Sequence, residues 1–288
     1  MSLAEIIPGT LYGASGWLRA DARPVSWIPP GLPGWLPVTA YALRDGADWM
    51  VVDTGLPVHW PEIEAAFART VEGATRRRMV NTRREQDCMA NLAALVRRFG
   101  IADVPYVGVL NPVEMTDVLE GDEAHARIEA LAPVRAIRIE VGQVLEVGRL
   151  RLEPLRVQLR LLATNWFLEH ATGTLFTSDS FGFLTRDTPD AALVRAPGEA
   201  PIDAAEIAHM LSAKFDWIIG IDPAPVLADL DAIFATHRIE RLCPCHGCVI
   251  EGADAVAEAL ARMKEAIAML AARPKPAWTF PLFAKETA

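Results

Sequence analysis

No uninterrupted apolar run in this 288-residue chain approaches the roughly 18 residues of a membrane-spanning helix. The opening Met-Ser-Leu-Ala-Glu stretch lacks a basic segment followed by an apolar one, so no secretory leader is read there. Basic residues are the scarcer charge. The 28 Lys and Arg against 37 Asp and Glu leave a formal charge of −9, the wrong balance for a chain built to meet phosphate backbones. What is present, 51% hydrophobic and 23% charged residues, excludes a disordered chain and supports a sizeable core. The expectation is a soluble cytoplasmic protein with neither a membrane nor a nucleic acid as partner.

Cysteine and histidine are also sparse, with four of one and six of the other. Cys243, Cys245 and Cys248 fall within one six-residue stretch, and Cys88 stands alone. A disulfide framework would be spread along a short secreted chain, so this clustering reads as a site instead.

The N-terminal third reads as strands and turns: Gly9–Tyr12, then Val38–Arg44 and Asp48–Val52 joined by Asp45-Gly46. Residues 17–37 hold Trp17, Trp27 and Trp35 among five prolines, a density that predicts a structured loop without helix or central strand. Its tryptophans either cap a core, the usual use of a large ring, or form a lid over a pocket. Helices are expected at Pro61–Ala68, Ala90–Phe99, Glu123–Leu131, Ile202–Phe215, Pro225–His237 and Asp254–Ala272. Further strands are expected at Arg78–Asn81, Pro105–Leu110, Val134–Ile139, Leu150–Val157, Thr174–Thr177 and Glu240–Cys243. No repeat or linker breaks the chain. The order predicts one α/β domain over 1–288, an αββα sandwich of two mixed sheets flanked by helices, with 273–288 as a tail. The apolar segment Trp278–Phe283 in that tail could pack on a second copy, giving a homodimer.

Four strand-end loops carry polar residues foreign to their flanks, where layered α/β proteins place their chemistry. They are Asp53-Thr54-Gly55, Asn81 to Cys88, Ser178-Asp179-Ser180-Phe181-Gly182, and Cys243-Pro244-Cys245-His246-Gly247-Cys248. Their order resembles the metallo-β-lactamase superfamily, and in particular its flavodiiron and oxygen-binding diiron branch, over about residues 35 to 250. In that branch the second loop reads His-x-Glu-x-Asp-His, and Arg83-Arg84-Glu85-Gln86-Asp87-Cys88 fills the frame. The bridging aspartate of the branch matches Asp179, and its Pro-Ser-His-Gly turn matches Pro244-Cys245-His246-Gly247.

The resemblance implies non-haem iron that reacts with dioxygen or nitric oxide, with Glu85, Asp87, Asp179 and His246 as ligands and Asp53 shaping the site. No flavodoxin-like domain follows, so electrons would come from a separate donor. The departures are specific. Arg83 and Cys88 replace two ligand histidines, and a third has no counterpart near Leu159, Arg160 or Asn165. Arginine offers a metal no lone pair and would pair with Glu85 instead. The expected centre is therefore reduced to one ion, iron or zinc, or to none.

Cys88, Cys245 and Cys248 could extend such a site with soft thiolates, whereas Cys243 reads as a small buried hydrophobe. His59, His125, His170, His209 and His237 lack ligand spacing. The run Arg76, Arg77, Arg78, Arg83, Arg84 reads as a solvated face, although Arg83 and Arg160 could point inward and hold an anion. Two alternatives stand beside the iron reading: a metal-free pseudoenzyme whose Arg83 binds an anionic ligand, and a metal-dependent hydrolase.

Overall fold

The architecture follows from which face of each strand is apolar. In the computed structural model, which describes residues 3–116 and 133–274, seven strands form a first sheet. They are β1 (Leu3–Ile7), β2 (Leu11–Arg19), β3 (Trp35–Asp45), β4 (Asp48–Val52), β5 (Arg76–Val80), β6 (Asp103–Val107) and β7 (Arg135–Ile139), in that spatial order. The pairs from β1 to β4 are antiparallel and those from β4 to β7 parallel. Both faces of β4 are buried. Met50 and Val52 point toward the second sheet, while Trp49 and Val51 point toward the helices α1 (Trp60–Thr70) and α3 (Leu92–Phe99). On that outer side the Trp49 ring meets Phe67 edge-on at 5.5 Å and lies 5.7 Å from Phe99. A one-turn helix α2 (Gln86–Met89) precedes α3, and Gly100 closes α3 in the left-handed conformation.

The second sheet runs β13-β12-β11-β10-β9-β8. Its strands are β8 (Leu145–Val147), β9 (Leu150–Leu155), β10 (Trp166–Glu169), β11 (Thr174–Ser178), β12 (Arg241–Pro244) and β13 (Ile250–Glu251). Its outer face is covered by α4 (Ala204–Lys214), α5 (Ala224–Thr236) and α6 (Ala253–Ala271). Leu175 and Leu242 pack under these helices, whereas their neighbours Phe176 and Cys243 face the first sheet and meet Tyr41, Met50 and Val52. This is the expected αββα sandwich.

Some expectations need correcting. The proline-rich loop is shorter than 17–37, because β2 continues through Trp17 and β3 starts at Trp35. Pro37 sits inside β3 opposite Trp17; proline lacks only the donor, and its carbonyl accepts the Gly247 N–H at 2.8 Å. Strands β1, β8, β10 and β13, all short, had no sequence expectation. The helix expected at Glu123–Leu131 and the segment Trp278–Phe283 lie outside the described residues. No helix among the described residues is long and apolar enough to cross a membrane.

Gly16 on β2 lets α1 approach. A β-carbon there would stand 1.9 Å from His59 Cγ, at the entrance to α1. Gly16→Ala should therefore cost about 1–3 kcal/mol in urea unfolding. The double variant Gly16→Ala/His59→Gly should recover most of that loss, because His59 Cβ also stands 2.4 Å from the added carbon. A single variant as stable as the wild type would mean that His59 does not pack on β2.

Candidate functional site

The four motif loops converge at the C-terminal ends of β4, β5, β11 and β12, in the crevice between the sheets. Three residues there take the left-handed conformation although none is glycine: Asp53 (φ 60°), Ser178 (φ 56°) and Phe181 (φ 63°). Such strain persists only where surrounding contacts over-determine it, and it gathers at functional sites. At Asp53 the contacts come from Thr82, whose N–H donates to Oδ1 at 2.7 Å and whose hydroxyl donates to Oδ2 at 2.8 Å. Asp53 thus orders the turn, as expected. Burial raises its pKa to about 7, with the Thr82 hydrogen bonds opposing.

Arg83 is the centre of the site. It is 1% exposed, and its guanidinium bridges two carboxylates, with Nη2 pairing Asp87 on α2 and Nη1 pairing Asp179 just after β11. Its Nε lies 3.6 Å from Glu85, the pairing the sequence predicts. A second cation completes the cluster: Lys214, the last residue of α4, reaches Glu85 at 3.0 Å and Asp179 at 3.2 Å. Two fully buried carboxylates therefore face two buried cations. At an effective dielectric constant of 20, charges 4 Å apart attract by about 4 kcal/mol, and here the attraction offsets the cost of removing four ions from water. Burial works to raise the Asp87 pKa, but Arg83 and Lys214 overcome it and hold the carboxyl well below the usual range. Burial also works to lower the Arg83 pKa, and Asp87 with the neighbouring thiols keeps it well above its ordinary value.

His246 sits beside this cluster through backbone pairing of its loop with β3: Thr39 N–H donates to the Cys245 carbonyl at 2.8 Å, and Val38 bridges His246. Its Nδ1 faces the Gly182 carbonyl at 3.1 Å and its Nε2 faces Asp179 Oδ1 at 3.1 Å. Burial, reinforced by Lys214, lowers its pKa to about 3, so the ring is neutral. A neutral ring carries one N–H, so it donates to either the Gly182 carbonyl or Asp179 Oδ1 and sets a lone pair against the other. Gly247 is required next to it: a β-carbon there would meet Gly182 backbone at 2.6 Å. Trp27 closes the mouth, stacked on His246 at 4.4 Å with Lys214 Nζ 5.1 Å from its ring. Trp27 packs against the core cluster as well as on His246, so it caps a core at the edge of the site. Behind it Phe183, Met210, Leu211 and Phe215 line a space of about 10 Å³, room for one water molecule.

The cysteines divide. Cys245 Sγ lies 3.6 Å from Asp87 Oδ2, and Cys88 Sγ lies 3.5 Å from the Thr82 hydroxyl, both within the site. Burial raises both thiols, so neither is a ready thiolate. Cys248, expected in the pocket, instead sits near Arg186, with burial pushing its thiol up to about 11. It follows Gly247, where the chain turns away. Cys243 is core, as expected. Arg160 makes no ion pair among the described residues, and Arg84 donates to the Leu110 carbonyl at 3.0 Å. Lys214 was missed. Its signal was compositional: the chain has four lysines, and Lys214 is the first, 50 residues before the next.

As a metal site the cluster gives a divided answer. One donor atom each from Asp87, Asp179, Cys245 and His246 lie within 4.8 Å of one another, close enough for a single ion. The carboxylates that would hold it are already bridged by Arg83. Among the described residues no second group of donors stands beside these four.

The layering and the crevice define a metallo-β-lactamase fold. No family model matches this chain, and no curated protein does. Among solved structures it is similar to the rubredoxin oxygen:oxidoreductase of Desulfovibrio gigas, with TM-score 0.63 and 18% identity over 91% of this chain and 61% of that one. The flavodiiron protein of Giardia intestinalis follows, with TM-score 0.60 and 15% identity over 93% of this chain and 59% of that one. A metallo-beta-lactamase from Pontibacter korlensis has TM-score 0.53 and 12% identity over 90% and 97%. The chain thus spans about three fifths of the flavodiiron proteins it matches.

Arg83→Met should cost about 3–5 kcal/mol, because it leaves two buried carboxylates facing each other. Asp87 contributes stability that is present above its unfolded pKa and lost as the pH falls through the depressed folded one. The gap between wild type and Arg83→Met in chemical unfolding should therefore narrow in acid.

Asp53 acts in the opposite direction. Its raised pKa makes its contribution fully present below the unfolded value and lost as the pH rises toward 7. Asp53→Asn should gain stability relative to wild type between the ordinary carboxylate range and pH 7. A parallel pair of pH curves would count against a buried, protonatable Asp53.

Proposed function

We propose that this chain is a metal-independent binding protein on a metallo-β-lactamase fold, in which Arg83 and Lys214 stand in for metal charge. The observation that carries this is the Arg83 guanidinium bridging Asp87 and Asp179. Arg83 and Lys214 already offset Asp87 and Asp179, and Glu85 leaves the cluster at −1, so a divalent ion added there would still bring uncompensated charge into an enclosed site. The dioxygen, nitric oxide and electron-donor expectations lose support with the second metal.

An anionic ligand at Arg83 would compete with Asp87 and Asp179 for the guanidinium, whose Nε and Nη1 are buried with no hydrogen-bond partner among the described residues. The space behind Trp27 holds about one water, so a larger ligand enters only if Trp27 moves, and the side chains it then meets are mostly apolar. One oxygen, Asp179 Oδ2, is buried with no partner among the described residues, so the ligand needs a hydroxyl or N–H to donate to it.

A second reading is a single iron or zinc ion held by Asp87, Asp179, Cys245 and His246. It is favoured by the Gly182 carbonyl, which orients His246 as metal-bound imidazoles are oriented. Metal analysis after anaerobic loading with iron, and separately with zinc, distinguishes the two. The wild type should retain substoichiometric metal. Arg83→His, which removes the bridging cation and adds a ligand, should retain more. A full equivalent on the wild type, lost in Asp179→Asn and His246→Ala, would overturn the metal-independent reading.

A further inference from the structure

The arginine run Arg76-Arg77-Arg78 has no part in the site above, which begins at the other end of the same strand. At its own end, a cleft of about 420 Å³ opens beside the first residues of β5, β6 and β7, a volume in the range of small-molecule sites. It is lined by those three arginines and Arg135, with Asp103 as the carboxylate of its lining. In a chain of formal charge −9 this is a concentrated reversal of sign.

The guanidinium groups are held in place from behind. Arg77 Nε and Nη1 donate to the carbonyls of Ala74 and Phe99, at 2.9 and 2.8 Å. Arg135 Nε and Nη2 clamp Asp103 at 2.7 and 3.0 Å. Arg76 and Arg78 share Asp48, at 2.5 and 3.0 Å. Four cations are thus met by two carboxylates, and Arg77 Nη2 and Arg135 Nη1 are left over for a ligand. The Nε of Arg78 is buried with no acceptor among the described residues. Arginines already fixed in this way lose little side-chain freedom on binding, and their planar forks suit phosphate oxygens.

We propose that this cleft binds a small phosphate-bearing anion of diphosphate size, at a site separate from the acidic pocket. Arg76 and Arg135, whose side chains are 68% and 73% exposed, reach the anion from the sheet face they share with Arg78, and Arg77 reaches it from the opposite face.

Calorimetric titration of the full chain with inorganic pyrophosphate at low ionic strength tests this. One saturable site is expected, weakened about tenfold or more in Arg76→Gln and in Arg135→Gln, each of which removes charge-assisted hydrogen bonds. Arg262→Gln, on the outer helix α6, should bind as the wild type does. Both cleft positions are exposed enough for the variants to fold, which matching thermal unfolding would verify. No saturable binding to the wild type would overturn the site. So would an equal loss in Arg262→Gln, which would mark a diffuse field instead of a cleft.

Discussion

Asp87 and Asp179 project into one crevice from different sheets, and neither can stay ionised there without a cation between them. Arg83 supplies it. Because the guanidinium is planar and offers two Nη groups, one side chain can hold both carboxylates at once, which an ammonium could not do with the same geometry. The rest of the site is arranged around that bridge. Lys214 neutralises the remaining charge from the α4 side, and Asp53 with Thr82 fixes the strand end from which Arg83 leaves. Trp27 then covers His246 and keeps water out. Exclusion of water strengthens each ion pair and raises the penalty for losing any member.

The flavodiiron-like fold and the cation pair pull in different directions. The crevice between two sheets brings carboxylates from α2 and from the end of β11 together, a geometry suited to divalent ions. The chemistry placed there is a salt-bridge network. Strain at Asp53, Ser178 and Phe181 survives beside this network, so an over-determined backbone coexists with a buried ion-pair cluster. Cys245 and Cys88 fit the same picture. Burial raises both thiols, while Cys245 Sγ also stands among the donors close enough for one ion.

Charge is distributed unevenly over this acidic molecule. The parallel strand β5 carries arginines at its first residues and leads, past Val80, into Arg83. The first group lines an open cleft; Arg83 is buried between carboxylates. The same residue type therefore serves opposite ends of one strand in different settings, one open to solvent and one enclosed.

The sequence by itself determined the layers. The apolar faces of β4 and β11, the Asp45-Gly46 turn and the helices ending at Gly100 and after Lys214 were legible because periodicity and turn chemistry are local properties. It also determined that Asp53, Glu85, Asp87, Asp179 and His246 gather at strand ends, and that Arg83 had no lone pair for a metal. Short strands such as β8, β10 and β13 were not legible, since edge pairing adds too few residues to make a pattern. Tertiary structure alone decided which partner Arg83 took, because the choice among Glu85, Asp87 and Asp179 depends on how two sheets face each other. It likewise brought in Lys214 across 129 residues from Glu85, stacked Trp27 on His246, and sent Cys248 away from its neighbours. These are matters of which surfaces meet, and no local pattern in the chain records them.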